Sequence, residues 1–195
     1  MERLRQTPSQ TIGPFFAYGL TARQYGYDYN SIVSGLLITE NMPGDRIQIS
    51  GKVFDGKGES ISDAMLECWQ ADEKGQYKRL IDLPHEGFIG LGRLGTGSEP
   101  DLSFRFVTVK PMSIGKGHAP HINIILFMRG SLRHLYSRIY FSDEQAANQS
   151  DELLNAVPEE RRNTLIARLC HQDGRKEYIF DIHMQGNLET VFFEI

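Results

Sequence analysis

The sequence predicts an all-β fold: an antiparallel β-sandwich with an extended N-terminal arm and one or two short helices inserted in the C-terminal third. Three observations carry this. Roughly seven to nine short segments alternate apolar and polar residues or run apolar for a few positions. Turn clusters separate them at close spacing, as at Asn41-Met42-Pro43-Gly44-Asp45, Asp55-Gly56-Lys57-Gly58 and Asp72-Glu73-Lys74-Gly75. Helix-start signals occur only late, at Ser142 and Pro158. A chain of 195 residues, 40% hydrophobic, suits one domain over 1–195, with an arm and connector at 1–44 and a sandwich core at 45–195.

The arm opens with Thr7-Pro8-Ser9-Gln10-Thr11-Ile12-Gly13-Pro14-Phe15-Phe16, whose prolines exclude a regular helix or a central strand. It also carries Tyr18, Tyr25, Tyr27 and Tyr29. So many aromatics among turn residues must pack on something, either this chain's own surface or a partner or site across from it. Gly13-Pro14 lets backbone come close to a ligand, because glycine has no side chain to obstruct it.

From Arg46 the pattern is that of strands. Arg46–Phe54 alternates with period two, Ala64–Ala71 follows, and Leu102–Val109 is another alternating run closed by Lys110-Pro111. The glycine-rich stretch 80–101 reads as loop. It has no Walker lysine pattern and no following helix, so phosphate binding is discounted. His134–Phe141 is strand-like. Ser142-Asp143-Glu144-Gln145 matches a capping box and predicts a helix over 143–148. Pro158-Glu159-Glu160-Arg161 suits a second helix start. Residues 164–169 are ambiguous, and 178–184 and 190–195 read as closing strands.

The central stretch runs from Gly117 to Gly130, a long buried strand with polar groups at its entry and an arginine at its exit. Alternation puts Ile122, Ile124 and Leu126 on one face and His121, Asn123, Ile125 and Phe127 on the other. Both sets are largely apolar, which predicts packing between two layers. A His-x-His at 121 and 123 could offer two imidazoles to one metal. Here the second position is Asn, a poor donor to a transition metal.

Composition excludes other classes. The net charge is −4 with no basic block, so nucleic acid is not an expected partner. Cys68 and Cys170 form no spaced framework and read as free buried thiols in a reducing cytoplasm. No N-terminal apolar region or bilayer-length apolar run is present, so a cytoplasmic, non-membrane protein is expected.

Several motifs in one order resemble a known family. Thr7–Pro14, Trp69-Gln70-Ala71-Asp72, Ala119-Pro120-His121-Ile122-Asn123 and Glu189-Thr190-Val191-Phe192-Phe193 are similar to the intradiol ring-cleaving dioxygenases. Within them, the likeness is to the α-type chain of heteromeric members, and it runs nearly end to end. The resemblance implies a β-sandwich, a mononuclear ferric iron, and insertion of both atoms of O2 into 3,4-dihydroxybenzoate. The ring then opens between the hydroxyls to give 3-carboxy-cis,cis-muconate.

The family's iron is held by two tyrosinates and two histidines. By the resemblance, Tyr77 stands at the first tyrosine and His121 at the first histidine, while Asn123 replaces the second histidine. After Lys110-Pro111, where the second tyrosine is expected, the chain has Met112-Ser113-Ile114-Gly115. Ferric iron is a hard cation that wants anionic oxygen, so one tyrosine, one histidine and an amide form only a remnant site. Tyr77 then reads as a hydrogen-bonded strand-end residue, and His121 as a buried histidine bonded to Asn123 or a water.

The resemblance therefore implies no catalytic residue and no metal ligand in this chain. Fe(III) is expected on a β-type partner within a multi-copy α/β assembly, and Thr11, Gly13, Pro14 and Arg129 are expected to line the partner's substrate pocket. Arg133 is a second candidate for the arginine. His118 falls where the catalytic chain's motif bears an arginine, and it would not supply a permanent charge. Two other readings stay open on the sequence: a self-sufficient iron dioxygenase, and a non-catalytic β-sandwich binding module.

Overall fold

The protein is described by a computed structural model covering residues 10–13, 15–39, 42–78, 87–172 and 174–194. The predicted arm before Gln10 and the predicted loop over 80–86 lie outside these residues. Eight strands form one sheet in the order β4 (Leu91–Gly95), β3 (Met65–Gln70), β6 (His121–Phe127), β7 (Leu135–Phe141), β8 (Ile166–Gln172), β9 (Arg175–Ile179), β1 (Arg46–Gly51) and β5 (Phe104–Val109). A two-stranded ribbon pairs β2 (Val53–Phe54) with β10 (Ile182–His183).

The sheet is creased at its middle. β7 and β8 share only the register pairs Tyr140↔Ile166 and Phe141↔Ala167. The two halves fold over one another there, giving the two layers of a sandwich. Leu66, Cys68, Ile122 and Ile124 from one half meet Ile49, Phe104, Phe106 and Tyr178 from the other in a single core. The β-dominated prediction holds, and most neighbouring pairs are antiparallel. Three are parallel: β1 with β9, β7 with β8, and β2 with β10. Between β7 and β8 the chain makes the long crossover that parallel pairing requires, and this crossover contains the late helices.

The alternation along β6 appears as predicted. Ile122, Ile124 and Leu126 are buried in the core, while Asn123, Ile125 and Phe127 are half-buried. The second face is therefore not sealed by a packed layer. It forms the floor of a cleft.

Three local expectations change. First, the glycine-rich stretch contains β4. A Cβ at Gly92 would lie 2.5 Å from Leu37 Cδ1 and 3.0 Å from Phe106 Cδ1, so this glycine permits close packing rather than loop freedom. Second, the arm is not wholly extended. A short helix, α1 (Phe15–Leu20), and a 3-10 turn (Ala22–Tyr25) follow Pro14, and the turn ends at Gly26 with φ 79°.

Third, the late segment forms three short helices rather than one or two: α2 (Gln145–Ser150), α3 (Glu152–Ala156) and α4 (Glu159–Arg162). The predicted capping box is not made, because Ser142 Oγ instead accepts from the Leu169 backbone N–H at 2.9 Å. Asp151, in extended conformation, breaks the run and caps α3. The ambiguous 164–169 segment divides into a 3-10 turn and β8. Within 190–194 the only pairing is the isolated bridge of Phe193 to Tyr136. Cys68 is buried as expected, but Cys170 is only partly so. Among the described residues, no helix is long and apolar enough to cross a membrane.

Asp151 ties the crossover to the sheet. It is fully buried. Its carboxylate accepts from Ala119 N at 2.8 Å, Leu154 N at 2.8 Å and the Tyr140 hydroxyl at 2.9 Å. Removing it strands three buried donors. We expect Asp151→Ala to lower unfolding free energy by about 3 kcal/mol in urea titrations, with Asp151→Asn retaining part of it. A loss below ~0.5 kcal/mol would show that water replaces the carboxylate freely.

Candidate functional site

The strand register assembles the floor of the cleft. Trp69 on β3 lies opposite Asn123 on β6, which lies opposite Arg138 on β7. Two residues along, Glu67, Ile125 and Tyr136 form a second row. These six side chains share the outward face because strand side chains alternate. Tyr77, Lys78, Leu91, Leu153, Phe193 and Glu194 complete the walls of a cleft of ≈ 800 Å³.

A chain of hydrogen bonds crosses the floor. Asn123 Nδ2 donates to the Tyr77 hydroxyl at 2.8 Å and to the Trp69 carbonyl at 3.3 Å. Arg138 Nε donates to Asn123 Oδ1 at 3.2 Å, and Arg138 Nη1 reaches the Tyr140 hydroxyl at 3.5 Å. The Trp69 and Tyr77 rings lie 4.7 Å apart. Burial raises the Tyr77 phenol above its usual value, although the Asn123 bond works against this. Tyr77 is thus a neutral phenol at neutral pH; it is hydrogen-bonded as expected, but it lies in the loop after β3 rather than at a strand end.

His121 sits apart from this network. It is 3% exposed and does not line the cleft. Its Nδ1 donates to the Ala119 carbonyl at 2.7 Å, so its partner is neither Asn123 nor another side chain. Its Nε2 is buried with no protein partner. Its ring is 5.9 Å from Tyr140 and 6.4 Å from His118.

These residues do not fit a ferric centre. The Tyr77 oxygen is engaged as a neutral acceptor of an amide proton, whereas a ligand to Fe(III) is a phenolate. Asn123 spends both ends of its amide on protein partners. Arg138 places a fixed positive charge on the same floor, where a metal cation would meet it in a low-dielectric setting. Among the described residues, Tyr77 lines the cleft and His121 does not.

The predicted pocket-lining residues gather at the far end of β6. Thr11 Oγ1 accepts from the Gly130 backbone N–H at 2.9 Å, which ties the arm to the turn after β6. Gly13 and Arg129 line a smaller hollow of ≈ 210 Å³ with Phe16, Tyr18, Tyr25 and Phe127. Arg129 forms an ion pair with Asp63, and its side chain remains 64% exposed. Arg133 is exposed and does not line this hollow, so Arg129 is the arginine that the structure groups with Thr11 and Gly13. Pro14 lies outside the described residues. His118 is half-buried beside His121, with Nδ1 unpaired.

Sequence reasoning missed Arg138. The available signal was a cation in the middle of the run Leu135–Phe141, which apart from Ser137 is otherwise apolar and aromatic, at the alternation that also carries Tyr136 and Tyr140.

His121 makes stability depend on pH. Burial lowers its value from 6.5 to about 4, with the positive Arg138 adding to the effect and the Ala119 bond opposing it. The unfolded chain takes up the proton first as pH falls. Stability is therefore full above pH ~6.5 and lost progressively toward pH ~4, by up to about 3 kcal/mol. We expect the urea midpoint to fall between pH 7.5 and 5, and His121→Gln to flatten that part of the slope. An unchanged slope in the variant would assign it to other groups.

The chain is similar to known proteins in both sequence and fold. The family profile described as Dioxygenase matches residues 34–186. The chain is 48% identical over 197 residues to the protocatechuate 3,4-dioxygenase alpha chain of Burkholderia cepacia, covering 100% of both. It is 31% identical over 163 residues to the beta chain of the same organism's enzyme, covering 75% of this chain and 67% of that one. Among solved structures, the dioxygenase domain of a dioxygenase carbohydrate-binding protein fusion from Streptomyces sp. SirexAA-E superposes with a TM-score of 0.62 at 25% identity, covering 96% of this chain and 100% of that one. The chain belongs to the dioxygenase family, in its intradiol ring-cleaving branch of non-haem iron enzymes.

Proposed function

We propose that this chain is the metal-free, α-type subunit of a heteromeric protocatechuate 3,4-dioxygenase. It packs on a β-type chain that holds Fe(III), and its Thr11, Gly13, Pro14 and Arg129 face closes the substrate pocket of that partner. The complex converts 3,4-dihydroxybenzoate and O2 to 3-carboxy-cis,cis-muconate. One observation carries this reading: the bond of Thr11 to Gly130 makes the arm and the Arg129 turn a single surface.

The parts of that surface have distinct physical roles. Gly13 presents bare backbone, and nothing lies within 4 Å of a Cβ built on it, so that side is open. Arg129 offers a guanidinium that suits a carboxylate in a two-point hydrogen bond. Its present partner is Asp63, which a substrate carboxylate would compete with for the guanidinium. Exposed apolar side chains fit a permanent α/β contact repeated in a multi-copy assembly. Ile32 is 93% exposed, Leu132 62% and Met112 55%. A self-sufficient iron enzyme is disfavoured by the Asn123–Tyr77 bond and the Arg138 charge described above. Family membership disfavours an unrelated binding module.

Two measurements test the proposal. The chain purified alone is expected to be colourless and iron-free, and the visible tyrosinate-to-iron band is expected only with the β partner. In the α/β complex, Arg129→Ala is expected to raise KM for 3,4-dihydroxybenzoate by about 10-fold or more, with iron content unchanged. Stoichiometric iron in the isolated chain, or an unaltered KM in the variant complex, would overturn it.

A further inference from the structure

The cleft over β6 plays no part in the function proposed above, yet it pairs a cation with aromatic walls. We propose that it is a metal-free binding site for a planar aromatic carboxylate, held by the Arg138 guanidinium. Three features select this ligand class.

The first is charge. Arg138 pairs with no carboxylate among the described residues, whereas Arg93, Arg129 and Arg161 each do. Of the two acids that line the cleft, Glu67 is already engaged by Arg93 and Glu194 stands exposed on the wall, and neither pairs with Arg138 among the described residues. Asn123 and Tyr140 fix Arg138 through Nε and Nη1, and Nη2 makes no bond to the described residues. The guanidinium is thus oriented by the protein before any ligand arrives, which lowers the entropy cost of binding.

The second is shape. Trp69, Tyr77 and Tyr136 present aromatic surfaces around the same space, and Ile125 lies between them. A flat ring can be sandwiched or edge-packed against such walls, while a compact inorganic anion would leave them wet. The third is the lack of metal character in the floor. A guanidinium and a bridging amide repel or ignore cations, and they recognise an anion by hydrogen bonds alone. The site therefore keeps the recognition of an aromatic acid without the means to oxidise it.

The chain has one tryptophan, Trp69, and it lies in this cleft, so its fluorescence reports occupancy. The probe is 4-hydroxybenzoate, which lacks the adjacent second hydroxyl needed for ring cleavage. Titrated into the full-length chain, it is expected to change Trp69 emission saturably, with Kd in the ~10 µM to 1 mM range. Phenol, without the carboxylate, is expected to bind at least about 10-fold more weakly, as is the probe to Arg138→Gln. Arg138→Lys, which keeps the charge but not the fork, is expected to fall between.

In the α/β complex, equilibrium dialysis with labelled probe is expected to count one more site per α chain than the Arg138→Gln complex shows. No saturable change up to ~10 mM, equal binding by phenol, or equal binding by a folded Arg138→Gln chain would overturn the proposal. An unchanged site count in the complex would do so too. The readouts are Trp69 emission and site number rather than ring cleavage. Failure here therefore leaves the Arg129 proposal standing, and failure of the Arg129 kinetics leaves this one standing.

Discussion

The lateral register of β3, β6 and β7 is the constraint on which the rest of the structure depends. Backbone hydrogen bonding places Trp69, Asn123 and Arg138 in one row and Glu67, Ile125 and Tyr136 in the next. The intervening residues Cys68, Ile124 and Ser137 turn to the other side, where Cys68 and Ile124 join the core. A slip of one residue would move Ile122, Ile124 and Leu126 to the cleft and put an amide and an imidazole in the core. Core burial therefore fixes the register, and the register in turn fixes which polar groups meet in the cleft.

At position 123, a carboxamide offers a donor at one end and an acceptor at the other. Here the donor holds a phenol and the acceptor holds a guanidinium. A neutral imidazole has only one N–H, so it could not hold the Tyr77 hydroxyl, the Trp69 carbonyl and Arg138 together as this amide does. The change of one side chain thus alters the charge logic of the whole floor. The site holds together by hydrogen bonds between neutral and cationic groups, and it requires no anion to balance a metal. His121 fits the same pattern: burial keeps it neutral, and its Nδ1 is committed to backbone.

Much of this was legible in the sequence because it is periodic. The two faces of β6 follow from alternation alone, and the poor fit of position 123 to a transition metal follows from its amide. What escaped depends on contacts between distant segments. β4 was hidden because Gly92 and Gly95 read as loop residues, while in the fold they clear space for Leu37, Phe106 and Gln24. The capping box at Ser142 was a valid local signal, but a strand 27 residues away claimed the hydroxyl. Arg138 looked like one more cation in a strand. Its meaning came only from having Asn123 across from it.

β6 also joins the two surfaces discussed above. Asn123 lies near its start and Arg129 just past its end, a run of six residues or about 20 Å of extended chain. The strand between them is buried on one face, and at its exit it is tied to the arm through Gly130. Such a strand is stiff, so the exit surface inherits its position from the core rather than from the chemistry at the entry. A chain whose Tyr77 and Asn123 do not fit a ferric ion can therefore still present Thr11, Gly13 and Arg129 in a fixed arrangement. The scaffold that carries Asn123 at one end is the same scaffold that holds Arg129 in place at the other. Only the second task depends on backbone alone, because it asks for no particular side chain at position 123.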